Sequence, residues 1–291
     1  MKTKILIILF IISSIIFSPV ISLSDDTRVG EMFETADDII TAIRDGNTAE
    51  YEQCLYLEIL YDEDGLNTIP QNAFSFFPNV QELRIEAGVS CADYSSITTL
   101  KNLEVLVLNN VCLSDIDFVK ELTNLRRLAL PHNHIDNGEP ISYLHKLEFL
   151  NLEDNDLSDI TFVTELKNLK ELIIQDNKEI CDITPLSDLI KLEGLFISNT
   201  SITDISTLRF LINLNALEMY GNKISDLKPL AELKDLEWLD ARDNNIVDVS
   251  PLCELENLEF LYLSGNPISN LEVLKTLPLI SIEDVLELPV F

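Results

Sequence analysis

An α/β solenoid is predicted, with one parallel sheet, short 3₁₀ or irregular segments opposite it and a helical N-terminal cap. Three features of the sequence predict it. A 22-residue motif recurs along most of the chain, each copy holds one short alternating apolar segment, and a stretch of helical apolar spacing precedes the copies.

The elements follow in chain order. Residues 1–24 read as a secretory signal peptide: Lys2 and Lys4 form a short basic start, Ile5 to Phe17 is an apolar run short for a spanning helix, and small residues follow near Ser18 to Ser24. No stable membrane span is expected after its removal, and the protein is expected to be secreted or extracytoplasmic, at a cell surface or in a periplasm. Residues 25–55 are the expected helical cap. EMFETADDIITAIRDGN, residues 31–47, spaces Met32, Phe33, Ala36, Ile39, Ile40 and Ile43 as a helix does and stops at Gly46 and Asn47. An edge strand is expected near CLYLEILY, residues 54–61.

Residues 56–279 carry the repeats. First positions fall at Val80, Leu103, Leu125, Leu147, Leu169, Leu192, Leu214, Leu236 and Leu258, with one extra residue in the coils that start at Val80 and Leu169. Apolar residues at positions 1, 4 and 6 alternate with outward ones, so each coil supplies a short strand with one face inward. Asparagine at position 9 (Asn133, Asn155, Asn177, Asn222, Asn244, Asn266) is expected to satisfy backbone groups where the chain turns inward. Aspartate at position 13 (Asp115, Asp159, Asp182, Asp204, Asp226, Asp248), often followed by proline at position 16, is expected to cap a short helical turn on the convex side. Residues 280–291 read as a short C-terminal cap.

This template resembles the leucine-rich repeat, in the 22-residue class found in bacterial internalins. The resemblance implies a right-handed horseshoe and a receptor interaction on the concave face. Internalins continue into an immunoglobulin-like domain, for which the residues after the last repeat are too few, so a wall-anchored role is not expected.

The formal charge is −30, which makes nucleic acid a poor partner. The outward strand positions account for only about −9 of it, so most of the acidity lies elsewhere and serves solubility. Of the five cysteines, Cys91 and Cys112 fall at adjacent positions on neighbouring coils and could be joined; Cys54, Cys181 and Cys253 read as small fillers or free thiols.

Catalytic chemistry finds little support. Nucleophile, zinc-protease and phosphate-loop motifs are missing, and a continuous sheet offers no deep pocket for paired acids. His132 and His134, with Asp154 and Asp176 equivalent to His132 on the next coils, could be taken for a metal site, but a solvated polar ledge is the simpler reading. A non-enzymatic protein without cofactor or metal is expected.

The outward strand residues are informative. In the C-terminal coils they gather Phe196, Tyr220, Trp238, Phe260 and Tyr262, with Arg242 alongside and Phe149 as an outlier. The phase that buries Leu236, Leu239 and Ala241 turns Trp238 outward. Aromatics and arginine dominate binding hot spots, so these seven residues are the candidate contact set for a protein partner of a monomeric module; the alternatives are a carbohydrate stacked on the same rings, or rings that cover one another or a folded-back C-terminal tail.

Overall fold

The computed structural model describes residues 31–277 apart from 48, 50, 61–67, 71, 86–89, 92 and 93. The signal-peptide and C-terminal-cap readings lie outside the described residues. Within them the strands are β1 (Glu31–Thr35), β2 (Tyr56–Leu60), β3 (Thr68–Ile69), β4 (Glu82–Ile85), β5 (Ser90–Cys91), β6 (Val105–Leu108), β7 (Arg127–Ala129), β8 (Phe149–Asn151), β9 (Glu171–Ile173), β10 (Gly194–Phe196), β11 (Ala216–Glu218), β12 (Trp238–Asp240) and β13 (Phe260–Tyr262), with helix α1 at Ala36–Asp45. Eleven of these strands form one sheet in chain order, with β3 and β5 paired separately. Each neighbouring pair is parallel, as required when every coil returns to the same side.

The N-terminal cap departs from the expectation at its start. Residues 31–35, read as the first turn of the helix, form β1 and pair in parallel with β2, from Glu31 with Tyr56 to Thr35 with Leu60. An uncovered β2 would present a row of unpaired N–H and C=O groups, and satisfying that row outweighs a helical apolar spacing. The predicted stop holds: Gly46 takes φ 76° and Asn47 N–H donates to Ala42 O at 2.9 Å. Ile39 of α1 is fully buried.

The core is the stack of positions 1, 4 and 6. Leu214, Leu217 and Met219 repeat as Leu236, Leu239 and Ala241 and as Leu258, Leu261 and Leu263, all buried. Convex 3₁₀ turns such as Lys228–Glu232 and Ser250–Glu254 carry proline near their starts and bury Leu230 and Leu252. The position-13 aspartates cap these turns from outside the N-cap residue, which is apolar. Asp226 accepts the Lys228 N–H at 2.9 Å, and Asp248 the Ser250 N–H at 2.8 Å. Backbone and side-chain hydrogen bonds from Ser206 and Ser250 hold the Asp204 and Asp248 carboxyls below the usual range, so these caps weaken on acidification.

The asparagines at position 9 form a ladder between coils. Asn177 is fully buried; its Nδ2 donates to Leu152 O (2.8 Å), Ile174 O (3.0 Å) and Gln175 O (3.3 Å), and its Oδ1 accepts Leu157 N–H at 3.0 Å. Asn133, Asn155, Asn222 and Asn244 repeat the pattern. Thr200 takes the place of asparagine in one coil, and its hydroxyl joins Ile197 O to the Asn222 amide.

Position 8 is left-handed in every coil from the one at Leu103 onward: Asn110, His132, Asp154, Asp176, Asn199 and Asp243 have φ between 50° and 60°, and Gly221 and Gly265 take 67° and 76°. Asparagine, aspartate and glycine tolerate this region best. At Gly221 a Cβ would also collide with the Asn199 amide oxygen.

Cys112, Cys181 and Cys253 are free, and Cys54 is buried with its thiol donating to Tyr56 O at 3.1 Å. The side chain of Cys91 is outside the description, but Cys112 is free and exposed, so the two are not joined as the sequence allowed.

Candidate binding face

Two outward rows of the sheet build the face. Row 3 runs Arg127, Phe149, Glu171, Gly194, Ala216, Trp238, Phe260, and row 5 runs Ile173, Phe196, Glu218, Asp240, Tyr262. The register is the one the repeat template predicts. Trp238 therefore lies opposite Ala216 on one side and Phe260 on the other.

The expected exposure is corrected for three of the seven residues. Trp238 is 6% exposed, Phe196 1% and Phe149 7%. Gly194 and Ala216 leave row 3 nearly empty beside the indole, so large rings lean into that space and cover one another. The indole centroid lies 6.4 Å from Phe196 in a tilted arrangement and 6.2 Å from Tyr262 edge-on. Phe260, Tyr262, Tyr220 and Arg242 stay half-buried. These four are the accessible part of the predicted set, and Trp238 and Phe196 are its support.

Phe149 does not join them. It lies four strands from Trp238, about 19 Å at the usual strand spacing, under the Arg127 guanidinium at 4.0 Å from its ring centre. Burial pushes the Arg127 pKa down and that of nearby Glu171 up.

Under and around the aromatics lie polar residues that the sequence reading did not single out. Asp240 is 2% exposed and is engaged by Arg242 Nε at 2.9 and 3.0 Å. Tethered this way, the Arg242 guanidinium lies 5.5 Å from the Tyr220 ring centre and 5.8 Å from that of Tyr262. Ser198 Oγ donates to Glu218 Oε1 at 2.9 Å and accepts the Tyr220 N–H at 3.1 Å. Their signal was available in the register, because Glu218 and Asp240 occupy row 5 between Phe196 and Tyr262.

Burial pushes the Glu218 carboxyl up to about 7 from 4.5, the Ser198 bond opposing and Asp240 adding to the rise. Between those values the folded chain holds a proton that the unfolded chain has lost, so stability falls as pH rises through that window. Glu218→Gln removes the buried charge and keeps the Ser198 partner. It is expected to add about 1 kcal/mol, roughly 2–4 °C in melting temperature, at pH 8 and nothing at pH 5; paired thermal melts at the two pH values check this.

On the ledge below, His132 Nδ1 and Asp154 Oδ2 approach to 3.0 Å and His134 Nδ1 and Asp156 Oδ2 to 3.6 Å, all well exposed.

A family model described as Leucine Rich repeats (2 copies) matches residues 190–232 and 234–276. A comparison with curated proteins gives no match. Among solved structures, internalin C2 of Listeria monocytogenes is 36% identical over 62% of this chain and 79% of its own, with a TM-score of 0.60. Internalin F of the same organism is 23% identical over 84% of this chain and 93% of its own, with a TM-score of 0.67. A plant peptide hormone receptor in complex with RGF2 is 22% identical over 66% of this chain and 37% of its own, with a TM-score of 0.51. The shared 22-residue coil, the parallel strand stack and the agreement with internalin C2 lead to one conclusion: the chain belongs to the internalin-like leucine-rich repeat proteins.

Proposed function

We propose that this protein is an exported, monomeric binding module that holds a protein partner on its concave face, centred on Tyr220, Arg242, Phe260 and Tyr262 with Phe196 and Trp238 beneath and Phe149 at a distance. Internalin-like repeat folds commonly mediate protein interaction and are generally non-enzymatic. The observation that carries the reading is the Arg242 fork, fixed by buried Asp240 beside two tyrosine rings. A pre-set guanidinium among half-buried aromatics loses little side-chain freedom on contact. The apolar leader at 5–17 supports export. No helix among the described residues is long and apolar enough to cross a membrane. Burial of Trp238 and Phe196 takes the indole and one of the phenyl rings away from a stacking sugar, which favours a protein over a carbohydrate.

Alanine at Tyr220, Phe260 and Tyr262 together is expected to reduce capture of the native partner at least ~100-fold, taking about 2 kcal/mol for each strong contact and allowing for non-additivity. The circular dichroism melt should move by only a few degrees. Undiminished capture would place the partner on another surface.

A further inference from the structure

Row 5 carries a carboxylate that the rest of the face does not neutralise. Glu218 is half-buried and, among the described residues, makes no ion pair; its hydrogen-bond partner is the neutral Ser198 hydroxyl. The nearest cation, Arg242, is committed to Asp240 by both carboxylate oxygens. A desolvated carboxylate next to a second carboxylate is costly unless a cation arrives.

A second observation points into the same place. The Trp238 indole, lodged between Phe196 and Tyr262, spans the stretch of row 5 that holds Glu218 and Asp240. Its Nε1 is buried and has no hydrogen-bond partner among the described residues. A buried N–H of this kind is satisfied in most proteins, and leaving it open costs stability. The cluster thus lacks two things at once, a cation for Glu218 and an oxygen acceptor for the indole. A peptide segment bearing a basic side chain brings both, the cation on its side chain and the oxygen on its backbone.

We propose that Glu218 is the cation-recognition point of the concave face, taking a lysine or arginine side chain of the bound protein, and that the buried Trp238 N–H is uncovered on binding and takes a carbonyl oxygen of the same segment. This rests on the proposed concave-face binding and names the chemistry of its partner. Occupancy follows the ionisation of Glu218, so affinity rises with pH between about 6 and 8. The groups that face Glu218 are Ser198 from the preceding coil, Tyr220 from its own, Asp240 and Arg242 from the next, and Glu153 farther off.

A phage library of random dodecapeptides, selected on the full chain at pH 8, is the test. The expected outcome is a consensus with a fixed lysine or arginine. The consensus peptide should bind Glu218→Gln at least 10-fold more weakly, and changing its basic residue to glutamine should cost the same factor without a further loss in the double change. Trp238 is the chain's one tryptophan, so its indole ¹⁵N–¹H resonance should shift on saturation. A consensus without a basic residue, no consensus, or unchanged binding by Glu218→Gln overturns the assignment. If the Tyr220, Phe260 and Tyr262 triple change abolishes peptide binding while Glu218→Gln does not, the face stands and the cation point falls; if neither matters, the face falls too.

Discussion

Asn177→Ala is expected to lower the unfolding free energy by about 3 kcal/mol. The amide ties two coils together through Leu152 O, Ile174 O, Gln175 O and the Leu157 N–H, all inside the turn where water has no access. Truncation strands an N–H and up to three carbonyls, and it opens a gap where the residue was fully buried. Asn177→Asp keeps the shape but removes the donor and adds a charge, so it should be at least as damaging at neutral pH. Urea unfolding followed by circular dichroism checks both. A solenoid is stabilised by contacts between neighbours, so a lesion in a central coil should also lower the m-value as the two flanks begin to melt separately. A change of less than 1 kcal/mol would show that water replaces the amide.

Trp238→Ala is expected to cost about 3 kcal/mol, in the lower part of the range for large aromatic truncations, because the face can partly close over the gap. Had the indole stood free on the surface, the cost would be within about 0.5 kcal/mol. The contacts with Phe196 and Tyr262 and the 6% exposure set the larger value. Trp238→Phe should recover about half of it while removing the N–H. The two variants therefore separate the packing role of the ring from any role of its donor. Thermal melts and near-ultraviolet circular dichroism, with its single tryptophan signal, check this.

Most of the fold was legible in the sequence because a repeated pattern is read many times over. Leu236, Leu239 and Ala241 are ambiguous alone, but nine aligned coils leave one register, and the structure has it. The asparagine and aspartate ladders were legible for the same reason. Three things were not. The strand character of residues 31–35 depends on the unpaired edge of β2, a long-range demand that leaves no local periodicity. The burial of Trp238 depends on what its neighbours lack: alternation says which way a side chain points, while Gly194 and Ala216 decide that there is room to lie down. Glu218 went unnoticed because one acid among fifty acidic residues carries no signal until its surroundings are known.

The strand stack also acts as a ruler with its own graduation. Successive strands pass about 4.8 Å apart, whereas an extended chain crossing them places same-side residues about 6.8 Å apart. The two scales coincide after three strands and two such residue steps, about 14 Å, which is the interval from Phe196 on β10 to Tyr262 on β13. A five-residue extended stretch running across the sheet would thus be in phase with the strands at the accessible Tyr262 ring and over the buried Phe196, and out of phase between them, where Glu218 and Asp240 lie. Long, flexible basic side chains tolerate such a phase error and short stiff ones do not, so the vernier itself selects which side chains can reach the middle of the face.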